Sequence, residues 1–122
     1  MKSVDRYELT RGEGKVRVSL RAQGMGEDLV VCIFNENAHI GAVAIGEYDL
    51  KERRASVSVI TRLGHKDDVI AQKTAHLVSK HTRKSSCAIA GVHVDNITEE
   101  EIQEALENTD LLVKDFLKQV TK

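Results

Sequence analysis

The spacing of hydrophobic residues constrains this chain most, because it changes from strand-like to helical about halfway along. Residues 15–22 alternate between apolar and polar side chains, which predicts a strand with one buried and one solvent-facing side. Residues 29–34 are continuously apolar, as in a central strand covered on both sides. Residues 38–45 and 55–60 continue the series, and residues 7–10 are compatible with a short opening strand. The first half is therefore predicted to form a sheet.

The second half begins with a different period. Between residues 68 and 83 the apolar side chains recur at the spacing of an amphipathic helix, and Asp67 and Asp68 suit its N-terminus. Residues 86–94 are again apolar almost throughout. The pattern predicts a helix followed by one more strand.

Two further helices are predicted after that strand. Thr98 and Glu101 have the spacing of a capping box, in which each side chain binds the backbone N–H of the other residue. Asn108 and the two residues after it are expected to restart a last helix, since Asn, Thr and Asp favour helix starts. The elements together predict one α+β domain over residues 1–122. Its sheet would be largely antiparallel, with about five or six strands, and three helices would pack mainly on one face.

Composition argues against several classes of function. A formal net charge of −1 and an aromatic content of 3% are poor for binding nucleic acid, which favours basic surfaces and aromatic platforms. No apolar stretch approaches the roughly 20 residues that cross a bilayer, and the first residues lack the apolar segment of a signal peptide. Cys32 and Cys87 lie inside apolar runs and are expected to be small buried hydrophobes. We therefore expect a cytoplasmic protein that binds neither nucleic acid nor membrane.

Three histidines stand near glycines where apolar runs begin or end. The three segments are His39-Ile40-Gly41, Gly64-His65-Lys66 and Gly91-Val92-His93. Histidine titrates near neutrality and binds metals, and sites are usually built where loops meet a rigid scaffold. The segments predict one composite site. Each histidine also has an ordinary structural interpretation, and no pair has the short spacing of a metal site, so a divalent metal would need convergence in space.

The start of the helix after His65 is a candidate anion site. Free backbone N–H groups and the helix dipole favour a phosphate or carboxylate there, and Arg62 and Lys66 would add positive charge. Asp67 and Asp68 oppose a bare anion, so they either cap the helix or hold a divalent cation that bridges to phosphate. The pattern predicts a small ligand that carries a phosphate.

These histidine segments, together with Ser86-Cys87 and Ile97-Thr98, resemble the small D subunit of bacterial gallate decarboxylases. The family also includes short, mostly archaeal proteins of unknown function, and the resemblance covers about residues 29–102. It implies a non-catalytic accessory protein, a presumed chaperone or carrier of prenylated flavin mononucleotide, for decarboxylases of the UbiD class.

The resemblance also implies a set of cofactor-binding residues. Those carried over are His39, Gly41, His65, Lys66, Asp67, Gly91 and His93, and Arg62 joins them from the anion-site argument. The spacing from Ser86-Cys87 to Gly91-Val92-His93 is one residue shorter than in the family. A shift of one residue reverses the facing of strand side chains, so Cys87 is not included.

Two other functions stay open. One is a small metal-dependent enzyme that uses His39, His65 and His93 with Asp67. The other is a structural assembly subunit whose histidines pack between chains. Because aromatic residues are scarce, a flavin pocket shared between copies is favoured, and we expect a homo-oligomer.

Overall fold

The computed structural model describes residues 6–62 and 67–121. Its strands are β1 (Arg6–Arg11), β2 (Val18–Met25), β3 (Asp28–Phe34), β4 (Ala42–Asp49), β5 (Arg54–Thr61) and β6 (Ser86–Gly91). A short 3-10 helix, Gly14–Val16, connects β1 to β2. The α-helices of the described residues are α1 (Asp68–Thr82) and α2 (Glu99–Val120). The prediction of an α+β domain is confirmed.

The six strands form one mixed sheet in the order β1-β2-β3-β6-β4-β5. β3 and β6 pair in parallel, with Phe34 opposite Gly91, whereas the other neighbours are antiparallel. The expectation of a largely antiparallel sheet is therefore wrong at the centre. The chain leaves β3, completes the β4–β5 hairpin and α1, and only then adds β6 between β3 and β4. Local spacing carries no signal for this late insertion.

Both helices pack on the same face of the sheet. α1 lies against β4, β5 and β6, and α2 lies against β1, β2 and the 3-10 helix. This covered face buries alternate strand residues such as Leu20 and Val31, whereas the open face carries Ile60 with 75% of its surface exposed. None of the helices in the described ranges is long and apolar enough to cross a membrane.

α2 is one continuous helix, so the prediction of a third helix starting near residue 108 is wrong for the described chain. The Asn108 side chain is buried and its Nδ2 donates to the Val16 carbonyl oxygen at 2.9 Å. Thr109 Oγ1 donates to the carbonyl oxygen of Ala105, also at 2.9 Å. Both side chains are satisfied while their backbone stays helical, so neither is needed to cap a new helix.

The capping box at the start of α2 is confirmed. Thr98 Oγ1 accepts a hydrogen bond from the Glu101 backbone N–H at 3.1 Å, and Glu101 Oε1 accepts one from the Thr98 N–H at 3.0 Å. Hydrogen bonding of the carboxylate, first by the Thr98 backbone N–H and then by the Thr98 side chain, holds the pKa of Glu101 below its ordinary value. The cap fixes where α2 leaves the segment that follows β6.

Candidate functional site

Two of the three predicted site segments, those that contain His39 and His93, meet at one edge of the sheet. Because β3 and β6 are parallel, both end at this edge, and because β4 is antiparallel to β6, it begins there. β5 is antiparallel to β4, so it ends at the same edge, and β2 begins there opposite the end of β3. We call this the site edge: residues 15–19, 34–42, 61–62, 67 and 91–95. Topology, rather than sequence proximity, gathers the motifs.

Two glycines allow backbone segments to touch at the site edge. A Cβ on Gly91 would collide with the carbonyl oxygen of His39, and a Cβ on Gly41 would collide with the carboxylate of Asp67. The Gly41 N–H donates to the Ala90 carbonyl oxygen at 2.9 Å. The segment containing His39 therefore crosses directly over the end of β6, and the absence of a side chain at these positions is a packing requirement.

Asp67 is a buried structural carboxylate with only 6% of its surface exposed. Its Oδ1 accepts the backbone N–H of Val92 at 3.0 Å, and its side chain makes no capping hydrogen bond to α1. Asp67 is therefore the N-cap residue of α1, as the sequence predicts, but its carboxylate does not cap the helix. The Val92 N–H that it binds is no longer available to a strand ladder. β6 accordingly ends at Gly91 and not at residue 94 as predicted.

The backbone of His93 is held by the amide of Asn35. Asn35 Nδ2 donates to the His93 carbonyl oxygen at 2.8 Å, and Asn35 Oδ1 accepts the His93 N–H at 3.1 Å. The imidazole Nε2 lies 3.2 Å from Asp95 Oδ1, and the His93 side chain is 49% exposed. The backbone is thus fixed while the ring stays accessible to a ligand.

His39 and His93 form a pair. Their ring centroids are 5.4 Å apart with a tilt of 51° between the planes. His39 is exposed, and the segment that carries it is held by Arg62, whose Nη1 donates to the Ile40 carbonyl oxygen at 2.8 Å. Arg62 thus supports the site edge through the backbone. His65 and Lys66 lie outside the described residues, so their place in the site stays a prediction.

Two concave regions border the histidine pair. On the open face of the sheet lies an apolar depression of about 230 Å³, lined by residues that include Cys32, Phe34, His39, Ile40, Ile89 and Gly91. Beside it lies a polar cleft of about 730 Å³, lined by residues that include Lys15, Arg17, Asn35, Glu36, His93 and Asp95. Phe34 and Ala38 border both regions. Together they offer one apolar and one charged surface on either side of two imidazoles.

A family model for the prenylated flavin chaperone LpdD-like domain matches residues 12–121. The chain belongs to this family. The prediction from the histidine segments is therefore confirmed at the level of the family. A comparison with curated proteins finds no significant match.

The fold is similar to that of solved structures. One similar chain comes from the crystal structure of a novel chaperone complex for yeast 20S proteasome assembly, with 13% sequence identity and a TM-score of 0.60. The match covers 96% of this chain and 98% of that chain. At this identity the likeness shows a shared fold alone.

The LpdD-like chain has further site-edge residues that sequence reasoning missed. In the sequence, Lys15 and Arg17 are polar members of the alternating residues 15–22, and Asn35 follows the apolar residues 29–34. In the structure all three line the polar cleft, together with Phe34. The only indication in the sequence is the position of Asn35 directly after a continuously apolar strand, where site residues are often found. Only the parallel pairing of β3 with β6 brings it to His93.

The two thiols lie on the open face and not in the core. Cys32 and Cys87 are both free and only half-buried, so the prediction of two small buried hydrophobes is correct only in part. Burial raises the pKa of Cys32, where the Arg21 charge acts in the opposite direction and the neighbouring Cys87 adds to the rise. Burial also raises the pKa of Cys87. Neither thiol is activated as a thiolate nucleophile.

Metal binding finds no support in the described part of the chain. Within residues 6–62 and 67–121 no group of three His, Cys, Asp or Glu side chains is arranged to hold an ion.

A separate apolar pocket of about 320 Å³ lies between α1, the residues after β6 and α2, where Val92, Ile97 and Leu106 contribute to its walls. His93 borders this pocket as well as the polar cleft.

Proposed function

We propose that this LpdD-like protein is a non-catalytic accessory protein that binds prenylated flavin mononucleotide at the site edge and passes it to a UbiD-type decarboxylase. One observation carries the proposal: His39 and His93 meet between an apolar depression and a polar cleft. A flavin mononucleotide has the same division, since an apolar ring system is joined to a hydroxylated chain and a phosphate.

The residues present fit the apolar part of such a ligand. Cys32 and Ile89 give the depression an apolar floor on rigid strands, and the His39 imidazole supplies a hydrogen-bonding group at its rim. Phe34 adds its ring, over which the Arg21 guanidinium lies at 5.1 Å from the ring centroid. Ligand sites of this class are mostly apolar with a few placed polar groups. When bound, the cofactor itself supplies the decarboxylation chemistry, and the residues of this chain orient and shield it.

A carrier role fits the chemistry of the site better than catalysis does. The raised pKa values of Cys32 and Cys87 keep both thiols protonated near neutrality. The buried carboxylate of Asp67 is engaged with the Val92 backbone. The Asp67 carboxylate is thus used for holding the backbone in place, while the half-exposed imidazole of His93 remains accessible to a ligand.

A second candidate, a structural assembly subunit, is favoured by the open face of the sheet. A row of apolar residues crosses four adjacent strands at one register, namely Cys32, Ile89, Val43 and Ile60. Ile45 and Ile60 remain 44% and 75% exposed. Contiguous apolar surface of this kind marks interfaces. A second copy of this chain is the partner we propose for it, and Ile60→Lys should then shift the mass measured by light scattering towards the monomer.

The flavin proposal is tested by titrating the purified protein with prenylated flavin mononucleotide. We expect saturable binding and faster activation of an apo-decarboxylase, and a variant with both His39→Ala and His93→Ala should lose most of the binding. His81→Ala is a matched control, because His81 is an exposed histidine in the last turn of α1. No saturable binding by the unmodified protein, or equal loss in the control, would contradict the proposal.

A further inference from the structure

We propose that the polar cleft binds the phosphorylated polyol chain of the ligand, with Arg17 and Lys15 as the phosphate-binding residues. This deepens the proposed function and rests on it. The cleft adjoins the apolar depression at Phe34 and Ala38, so a ligand with its ring system in the depression extends its chain into the cleft. At about 230 Å³ the depression alone is smaller than usual ligand pockets, which begin at roughly 300 Å³.

The two cations are placed by the short 3-10 helix before β2. Lys15 Nζ donates to the Asn96 carbonyl oxygen at 2.9 Å, which holds the ammonium at the cleft and leaves its other two hydrogens available. Arg17 is exposed, and its guanidinium makes no hydrogen bond or ion pair with other residues in the described ranges. A guanidinium is permanently charged, and its planar fork matches phosphate oxygens.

The acidic side chains of the cleft narrow the class of ligand. Glu36 and Asp95 also line it, and both would repel a chain of several phosphates. Carboxylates do accept hydrogen bonds from hydroxyl groups, and the amide of Asn37 nearby both accepts and donates. Two cations beside two carboxylates suit a ligand with a single phosphate and several hydroxyls. The ribityl phosphate of a flavin mononucleotide has this composition.

The sequence predicts a phosphate site at the start of α1, but this position is less suitable for a phosphate than the polar cleft. The buried Asp67 carboxylate lies at that helix start, and Arg62 uses its Nη1 on the Ile40 carbonyl oxygen. A phosphate there would face a negative charge in a poorly solvated position. The polar cleft instead offers Arg17, which is paired with no other residue of the described ranges, and Lys15, whose ammonium donates to the Asn96 carbonyl oxygen and whose charge also acts on Glu101.

The assignment is tested with three compounds: flavin mononucleotide, riboflavin, which lacks the phosphate, and ribitol 5-phosphate, which lacks the ring system. We expect the unmodified protein to bind flavin mononucleotide more tightly than riboflavin, since only the former carries a phosphate. The double variant Lys15→Gln, Arg17→Gln should lose about tenfold or more of the affinity for flavin mononucleotide, the effect of lost charge-assisted hydrogen bonds, with riboflavin unchanged. The control Lys51→Gln, Arg54→Gln removes the same charge at the opposite edge of the sheet and should retain the preference.

The possible results distinguish a failure of the cleft assignment from a failure of the flavin proposal. A preference for flavin mononucleotide that survives in the Lys15, Arg17 variant overturns the cleft assignment while the flavin proposal stands. If no flavin binds the unmodified protein, the flavin proposal fails, and ribitol 5-phosphate decides the cleft alone. Shifts of the Arg17 and Asn37 amide resonances on addition of ribitol 5-phosphate then support the assignment, and unchanged resonances overturn it.

Discussion

The two halves of the covered sheet face are packed in different ways. Under α2 the core consists of large side chains, including Leu20, Leu29, Ile33, Leu112 and Phe116. Under α1 the fully buried cluster contains alanines alone, namely Ala42, Ala44, Ala71, Ala75, Ala88 and Ala90. We call these the large-residue cluster and the alanine cluster. The first gives the domain its buried apolar area, and the second lets a helix approach the sheet closely.

Close approach under α1 is visible in its polar contacts. Ser79 Oγ lies 2.8 Å from Ser86 Oγ, and Ser86 Oγ donates to the Ala75 carbonyl oxygen at 3.2 Å. A strand side chain reaches the helix backbone only when the two elements are near. Because Gly41 directly precedes β4 and Gly91 ends β6, the alanine cluster fixes the part of the site edge where the segment of His39 crosses the sheet. We therefore infer that the large-residue cluster sets most of the stability and that the alanine cluster sets the geometry of the β4–β6 part of the site.

The largest effect is expected from Phe116→Ala in the large-residue cluster. Phe116 is fully buried and its ring lies 5.3 Å from that of Tyr7, so truncation should cost about 3–5 kcal/mol of unfolding free energy through lost burial and a cavity. Urea unfolding at low temperature measures this, with Phe116→Leu as a milder companion variant. Ligand affinity of the folded protein should stay unchanged, and a parallel loss of affinity would weaken the division into two clusters.

A smaller but functionally sharper effect is expected from Ala75→Leu in the alanine cluster. Ala75 lies on α1 and is fully buried against the sheet, so the larger side chain should cost about 1–3 kcal/mol by overpacking. Because α1 would be pushed from β4 and β6, flavin affinity should fall as well. Ala105→Leu is the matched control, since Ala105 borders the apolar pocket of about 320 Å³ and has room to grow. Equal destabilisation in both variants would contradict close packing under α1.

Loss of the helix cap should have a modest effect on α2. Thr98→Ala removes the oxygen that accepts the Glu101 N–H, and such substitutions cost about 1 kcal/mol. The effect should appear as a lower urea midpoint with an unchanged slope. Thr121→Ala, at the other end of α2, is a control in which no N-terminal cap is disturbed.

The smallest effect is the pH dependence of the same cap. The pKa of Glu101 is lower in the folded protein than its ordinary value of 4.5. Its charged form therefore stabilises the fold fully above that value, and this contribution is lost as pH falls through the lower, folded pKa. Unfolding midpoints of the unmodified protein and of Glu101→Gln should converge as the pH is lowered below 4.5. A constant difference between them would contradict this linkage.

The parts of the fold that depend on local chemistry were predictable from sequence. The capping box of Thr98 and Glu101 is a contact between residues three apart, so its spacing alone identified it. The end of β6 depends instead on the Asp67 carboxylate, which lies 25 residues from Val92 along the chain. Likewise Asn108 keeps α2 continuous through a bond to Val16, 92 residues away. Neither contact leaves a trace in local periodicity.

The candidate site divides in the same way. The glycine-flanked histidines at positions 39 and 93 were identifiable, since each lies at the end of an apolar run. The contribution of Lys15 and Asn35 was not, because it depends on where β6 enters the sheet. β3 and β6 pair although the β4–β5 hairpin and α1 lie between them in the chain, so this pairing is set by the whole fold. The sequence therefore predicts the histidine segments near glycines and does not predict the residues that the fold places beside them.

The most direct test of the account is to map the binding of prenylated flavin mononucleotide by backbone amide resonances. We predict that the largest shifts fall on the site edge, at residues 34–41 and 91–95, and that they extend to Lys15 and Arg17. Residues of the large-residue cluster around Phe116 should be unaffected. Shifts confined to the apolar pocket between α1 and α2, or no saturable shifts at all, would contradict a flavin site at the edge of the sheet.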